Sequence, residues 1–195
     1  MRIEQKPLSS YPWYLRWWFT LQQRRIGQIL LPGMVWGRVP QLLIGQTLMF
    51  SALNRAASPL EERLRALIGT YISQLSYCEF CIDMNAQMVL DRGGNLDIIA
   101  QLPTWRSASN ISAREKLALE FAESIISNTL LADARAIIIQ REFGDAGYVE
   151  LAAYCAFQTM SARFNHALQI PAQGLCRVPN AATTARAASS VQSEK

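Results

Sequence analysis

Between Ser58 and Leu168 apolar residues recur at helical spacing, and each run is bracketed by its own start and stop signals. This pattern predicts an all-α chain. Ser58-Pro59-Leu60-Glu61 reads as a capping box with proline at the first helical position. Behind it, Leu64, Leu67, Ile68, Tyr71, Ile72 and Leu75 share one face. A second helix should open near Cys78 or Glu79 and close at Asp91-Arg92-Gly93-Gly94, where glycine can take the left-handed conformation. A third opens on another capping box, Ser112-Ala113-Arg114-Glu115, and buries Leu117, Ala118, Phe121, Ala122 and Ile125. A fourth runs from about Ala132 to Phe143 and stops at Gly144. Asp145 then caps a long helix to about Leu168, and Pro171 ends it. From Val149 to Phe157 that helix is apolar on nearly all sides, which predicts a place at the centre of the bundle. There is no alternating strand pattern, no βαβ rhythm and no phosphate-cradling glycine loop.

A length of 195 residues suits one domain with a full core. Three parts are expected: an N-terminal aromatic extension over 1–40, a single-domain helical bundle over 41–175, and a flexible tail over 176–195. At the start of the second part, Gln41 to Asn54 reads as a helix. Hydrophobic residues make up 50% and charged ones 17%. That balance argues against disorder and predicts that some apolar surface is buried between subunits. The net charge of +4 is carried by scattered Lys and Arg, with no basic stripe of the kind that binds nucleic acid. The segment Tyr11-Pro12-Trp13-Tyr14-Leu15-Arg16-Trp17-Trp18-Phe19 is rich in side chains that favour half-wet interfaces. Packing on the bundle or on a neighbouring subunit is the expected role, with contact to a membrane surface as the alternative. No secretory signal is read, and Pro32, Arg38 and Pro40 interrupt the longest apolar stretch, so a cytoplasmic location is expected.

The cysteines are Cys78, Cys81, Cys155 and Cys176. Cys78-Glu79-Phe80-Cys81 places two sulfurs within one helical turn, a spacing suited to a reversible disulfide. The free N–H groups and dipole at a helix N-terminus favour thiolate, and Cys78 is nearest that end. A zinc site needs four ligands, and Cys155, Cys176 and the lone His166 form no second close pair. No metal and no cofactor are expected. Cys155 reads as core, Cys176 as a loop thiol, and His166 as a packing or helix-terminal residue.

Leu75-Ser76-Tyr77-Cys78-Glu79-Phe80-Cys81-Ile82-Asp83-Met84-Asn85, following Ser58-Pro59-Leu60-Glu61-Glu62, resembles the alkylhydroperoxidase-like / carboxymuconolactone decarboxylase family. The resemblance extends through Arg114 to Glu123, then from Tyr148 to Leu168 and Ile170-Pro171. It implies an all-α fold that assembles as a homo-oligomer: a dimer, trimer or hexamer. In peroxidase members the pattern is C-x-x-C-x-x-x-H, with the second cysteine attacking the hydroperoxide and the first resolving it. Carried onto this chain, Cys81 attacks and Cys78 resolves, against the dipole argument. The resemblance is followed here, because the helix field covers the whole first turn.

Two relay positions depart from that pattern. Asn85 stands where the histidine would be; it can donate a hydrogen bond but takes up no proton near neutral pH. Ala66 stands where a glutamate would be, and Glu62, one turn earlier, is the candidate to reach in its place. Glu79 is a further nearby carboxylate, which would raise a thiol pKa. The expected site is therefore Cys81, Cys78, Asn85 and Glu62. The expected function is a thiol–disulfide oxidoreductase reducing organic hydroperoxides with an altered proton relay. Its partners would be a small hydroperoxide and a disulfide or dithiol. The alternative is a non-enzymatic oligomeric or ligand-binding family member. Nothing in the chain specifies the anionic lactone site of the decarboxylase branch.

Overall fold

The computed structural model describes residues 1–176, which hold eight α-helices and no strand. Apart from Cys176, the expected flexible tail lies outside the described residues. The helices are α1 (Trp13–Ile26), α2 (Leu31–Trp36), α3 (Pro40–Leu53), α4 (Glu62–Leu75), α5 (Glu79–Asp91), α6 (Leu96–Gln101), α7 (Ala113–Ser127) and α8 (Asp133–Ala167). The all-α expectation holds.

Local signals set most boundaries. Ser112 caps α7 in a complete capping box with Glu115. Gly144 breaks α8 at φ 68°, a conformation open to glycine. Since Gly144 is the non-helical residue, Asp145 lies inside the following turn, where its carboxylate accepts from Gln140 Nε2 at 2.8 Å. The Ser58 box does not form. Ser58 Oγ donates to Glu150 of α8 and accepts from Leu60 N–H at 3.1 Å, so the helix starts later, at Glu62. A tertiary partner outcompetes the local cap.

The centre of the bundle is α4, not α8. Every residue from Leu64 to Ser73 is buried, and α4 packs against α5, α7 and α8. Ala66, Gly69, Thr70 and Ser73 are small enough to admit neighbours on the sides where Leu67, Ile68 and Ile72 do not project. Burial of each large aliphatic side chain there contributes about 1.5–3 kcal/mol. α8 buries one stripe, Leu151, Tyr154, Cys155, Gln158, Ala162 and Asn165, and leaves Val149 and Met160 exposed. Its outer side is apolar yet exposed, which is why α8 is not the central helix that its composition predicts.

The aromatic segment divides. Tyr11, Leu15 and Phe19 pack with Leu43 in their own cluster, and Tyr11 Oη donates to the Met34 carbonyl at 2.8 Å. Trp13 and Trp17 remain 78% and 67% exposed. Trp36 stacks on Phe164 with ring centroids 3.8 Å apart, tying the N-terminal helices to the last turns of α8.

Candidate active site

The chain leaves α4 through Tyr77, held at φ 51°, and re-enters a helix at Cys78. Cys78 is the N-cap of α5, in extended conformation, and Cys81 lies in the first turn. Their Cα atoms are 5.2 Å apart and their sulfurs are joined in a disulfide. Cys78 Sγ accepts the backbone N–H of Cys81 at 3.2 Å, in the manner of a capping oxygen. Cys78 is 1% exposed and Cys81 6%.

Cys81 Sγ accepts from a side chain that sequence reasoning did not single out. Asn165 Nδ2 of α8 lies 3.2 Å away, buried with the sulfur. The available signal was its position: Asn165 continues the buried stripe of Gln158 and Ala162, where a polar residue needs a partner. His166, the next residue, places Nδ1 3.0 Å from the Tyr77 carbonyl, bracing the turn before Cys78 from the exposed side.

Asn85 faces α4 rather than the sulfurs. Its Nδ2 donates to Ser73 Oγ at 3.1 Å and to the Cys81 carbonyl at 3.0 Å. Its Oδ1 lies against Gly69, where an added Cβ would come within 2.6 Å. Ser73 Oγ in turn donates to the Gly69 carbonyl at 2.6 Å. Asn85 thus clamps the pair's helix to α4 at one remove from sulfur.

Glu62 is not brought to the pair. α4 and α5 run antiparallel, so Glu62, at the start of α4, meets Arg92, just past the end of α5, at 3.1 Å. The helical rise of about 1.5 Å per residue sets Glu62 on the order of 16 Å from Ser73, the α4 residue beside Asn85. Ala66 is fully buried and offers no polar group in compensation. Glu79 points to solvent. Among the described residues no carboxylate or imidazole hydrogen-bonds to either sulfur.

Asp83 anchors the other side of α5. Its carboxylate accepts the backbone N–H groups of Gln173, Leu175 and Cys176 at 2.9, 2.9 and 2.7 Å. The Gln173 side chain continues outward to Leu31 N–H at 2.7 Å and to the Ile29 carbonyl at 3.0 Å. One carboxylate therefore joins α5, the segment after α8 and the N-terminal helices. Cys155 is fully buried, and burial pushes its thiol pKa up, so it stays a protonated core residue.

Among the described residues no three His, Cys, Asp or Glu side chains gather as a metal-ligand set, and no helix is long and apolar enough to cross a membrane. The arrangement can perform thiol–disulfide exchange: two close sulfurs at a helix start, shielded from water, each with one N–H donor.

A family profile for the carboxymuconolactone decarboxylase family matches residues 45–124, a span that holds α4, α5 and the cysteine pair. The uncharacterized protein YnjA of Escherichia coli (strain K12) is 37% identical over 174 residues, covering 89% of this chain and 96% of its own. Among solved structures, an uncharacterized peroxidase-related protein from Silicibacter sp. TM1040 superposes with a TM-score of 0.80 at 19% identity, covering 90% of this chain and 93% of its own. The alkylhydroperoxidase AhpD core protein from Ralstonia eutropha JMP134, also peroxidase-related, gives a TM-score of 0.78 at 19% identity, covering 88% and 92%. The fold is therefore alkylhydroperoxidase-like, and the chain belongs to the carboxymuconolactone decarboxylase family.

Proposed function

We propose that this protein is a thiol–disulfide oxidoreductase that reduces organic hydroperoxides through Cys78 and Cys81. The observation that carries this reading is the closed, buried pair at the start of α5 with an N–H donor on each sulfur. The peroxidase-related relatives sharing its fold support it.

In the reduced pair Cys81 attacks, being the less buried of the two. Its thiolate takes the terminal oxygen of the hydroperoxide. The O–O bond breaks, the alkoxide leaves and picks up a proton, and Cys81 becomes a sulfenic acid. Cys78 then attacks that sulfur; the S–O bond breaks, water departs and the disulfide closes. A small dithiol or a dithiol protein reopens it through a mixed disulfide, and is itself oxidised. Asn85 holds the helix turn in place and moves no proton, and Glu62 takes no step. Protons therefore come from solvent, and turnover is slow.

The test is consumption of cumene hydroperoxide with dithiothreitol, corrected for the uncatalysed rate. Wild type should exceed Cys81→Ser; equal rates would remove Cys81 from the mechanism. That no acid or base among the described residues bonds either sulfur favours one second reading, a non-enzymatic member of the family. Under that reading neither protein exceeds the uncatalysed rate.

We also propose a homo-oligomer. From Val39 to Asn54 the chain carries no charge, and Leu42, Ile44, Leu48 and Met49 of α3 are exposed. A second copy of the chain would cover that face.

A further inference from the structure

We propose that Asn165 is the thiolate-stabilising residue of the site, selecting Cys81 as the ionised sulfur of the reduced pair. The inference rests on the thiol–disulfide reading above and adds to it a group outside the cysteine motif.

Asn165 is 4% exposed, and its Nδ2 lies 3.2 Å from Cys81 Sγ. Its Oδ1 is also buried and has no hydrogen-bond partner among the described residues. A neutral amide is thus held out of water with its one side-chain hydrogen bond made to a sulfur. In the disulfide that sulfur is a weak acceptor. A thiolate at the same position is a charged acceptor, for which N–H donors bond roughly twice as strongly. The amide therefore contributes little to the oxidised state and much to the reduced, ionised one.

The position of the amide is fixed from three sides. His166 bonds the Tyr77 carbonyl at 3.0 Å, and Phe164 stacks on Trp36. The Asn165 carbonyl accepts the Ile170 N–H at 3.0 Å, closing the end of α8. Preorganisation of this kind is what lets a buried dipole stabilise charge. The two sulfurs are then served differently. Cys78 has the backbone N–H of Cys81 and the helix start; Cys81 has a side-chain amide from another helix. This resolves the competition between the dipole argument, which favours Cys78, and the attacking role of Cys81. With both relay positions empty of acid or base, ionisation of Cys81 depends on a fixed donor rather than on a proton acceptor.

The experiment measures iodoacetamide alkylation of each cysteine against pH in the fully reduced full-length chain, resolved by peptide mass spectrometry. Wild type, Asn165→Ala and Asn165→Asp are compared. In wild type Cys81 should titrate below the ordinary cysteine value of about 8.5. In Asn165→Ala its midpoint should rise by about one to two pH units, the range for losing a hydrogen bond to a charged group. In the isosteric Asn165→Asp it should rise at least as far, because a carboxylate repels the thiolate. The Cys78 midpoint should move less in both. The disulfide should also become harder to reduce, by about tenfold in the exchange constant with dithiothreitol, or roughly 30 mV. A merely structural role would lower the unfolding midpoint and leave the Cys81 profile in place.

A wild-type Cys81 midpoint at the ordinary value overturns the inference, and so does an unchanged Cys81 profile in both folded variants. The result is independent of hydroperoxide turnover. A shifted profile in a protein that consumes no hydroperoxide keeps Asn165 and rejects the peroxidase reading. Turnover with an unshifted profile does the reverse.

Discussion

Asn85 Oδ1 sits so close to Gly69 that a single Cβ on that glycine would lie 2.6 Å from it. The relay position of the family pattern is thus filled by an amide locked against the central helix, and the glycine opposite is what makes room for it. Gly69→Ala should overpack this contact and cost about 1–3 kcal/mol of stability. In the double variant with Asn85→Ala the Gly69→Ala penalty should shrink by at least half, since the clashing amide is gone. A double-mutant cycle by denaturant unfolding measures the coupling. Purely additive costs would separate the two residues.

Asp83 supports the site from the opposite side. Asp83→Ala removes the acceptor of three backbone N–H groups from Gln173 to Cys176. A loss of about 2–3 kcal/mol is expected. Alkylation of Cys176 in the oxidised protein should accelerate, because its segment is released from α5. Unfolding curves and Cys176 labelling rates check both; unchanged labelling would mean that the segment is held by packing alone.

Thiol counting separates the remaining cysteines. With Cys78 and Cys81 in a disulfide, native protein at pH 8 should react through Cys176 and not Cys155. Burial raises the Cys155 pKa, which keeps it a thiol, and the thiol form is unreactive. Denaturation should expose it. Rapid labelling of Cys155 in the native state would contradict the close packing of α8 on α4.

Tyr71 and Tyr154 set the alkaline limit. Burial pushes each phenol up to about 12; the Trp105 N–H donated to Tyr71 partly offsets this. Both folded values lie above the unfolded value of about 10. Their contribution is therefore complete below pH 10 and is lost as pH rises toward 12, by about 2–3 kcal/mol for each residue. Chemical unfolding followed across that window should show the decline, with phenolate absorbance from these two tyrosines arriving together with unfolding. Free titration of all tyrosines near pH 10 would contradict their burial.

The exposed side of α3 gives an assembly prediction. Leu48→Glu places a charge in the middle of the uncharged face and should lower the oligomeric state without unfolding the chain. Sedimentation velocity reads the outcome, and an unchanged assembly would move the interface elsewhere.

What the sequence made legible was local. The Ser112 box, the break at Gly144 and the start of α5 depend on residues within a turn of each other, and all three form. The Ser58 box failed because Glu150, far along the chain, takes its hydroxyl. Apolarity alone does not say which side of a helix is covered, so it points to α8 as the centre; the small residues of α4 let neighbours cover that helix instead. Glu62 looked one turn from a relay position, but antiparallel packing carries it to the far end of the helix pair. Asn165 bonds a sulfur 84 positions earlier, a separation at which no periodicity or spacing rule operates.

In the function proposed above, Cys78 and Cys81 open and close as a redox pair driven by hydroperoxide. The most direct measurement is the mass of the peptide holding both cysteines, after the reduced protein meets one equivalent of cumene hydroperoxide without reductant. That peptide should lose a pair of hydrogens, a loss reversed by dithiothreitol. A Cys81→Ser protein should show no such loss. A wild-type peptide that keeps both thiols after the hydroperoxide is added would contradict it.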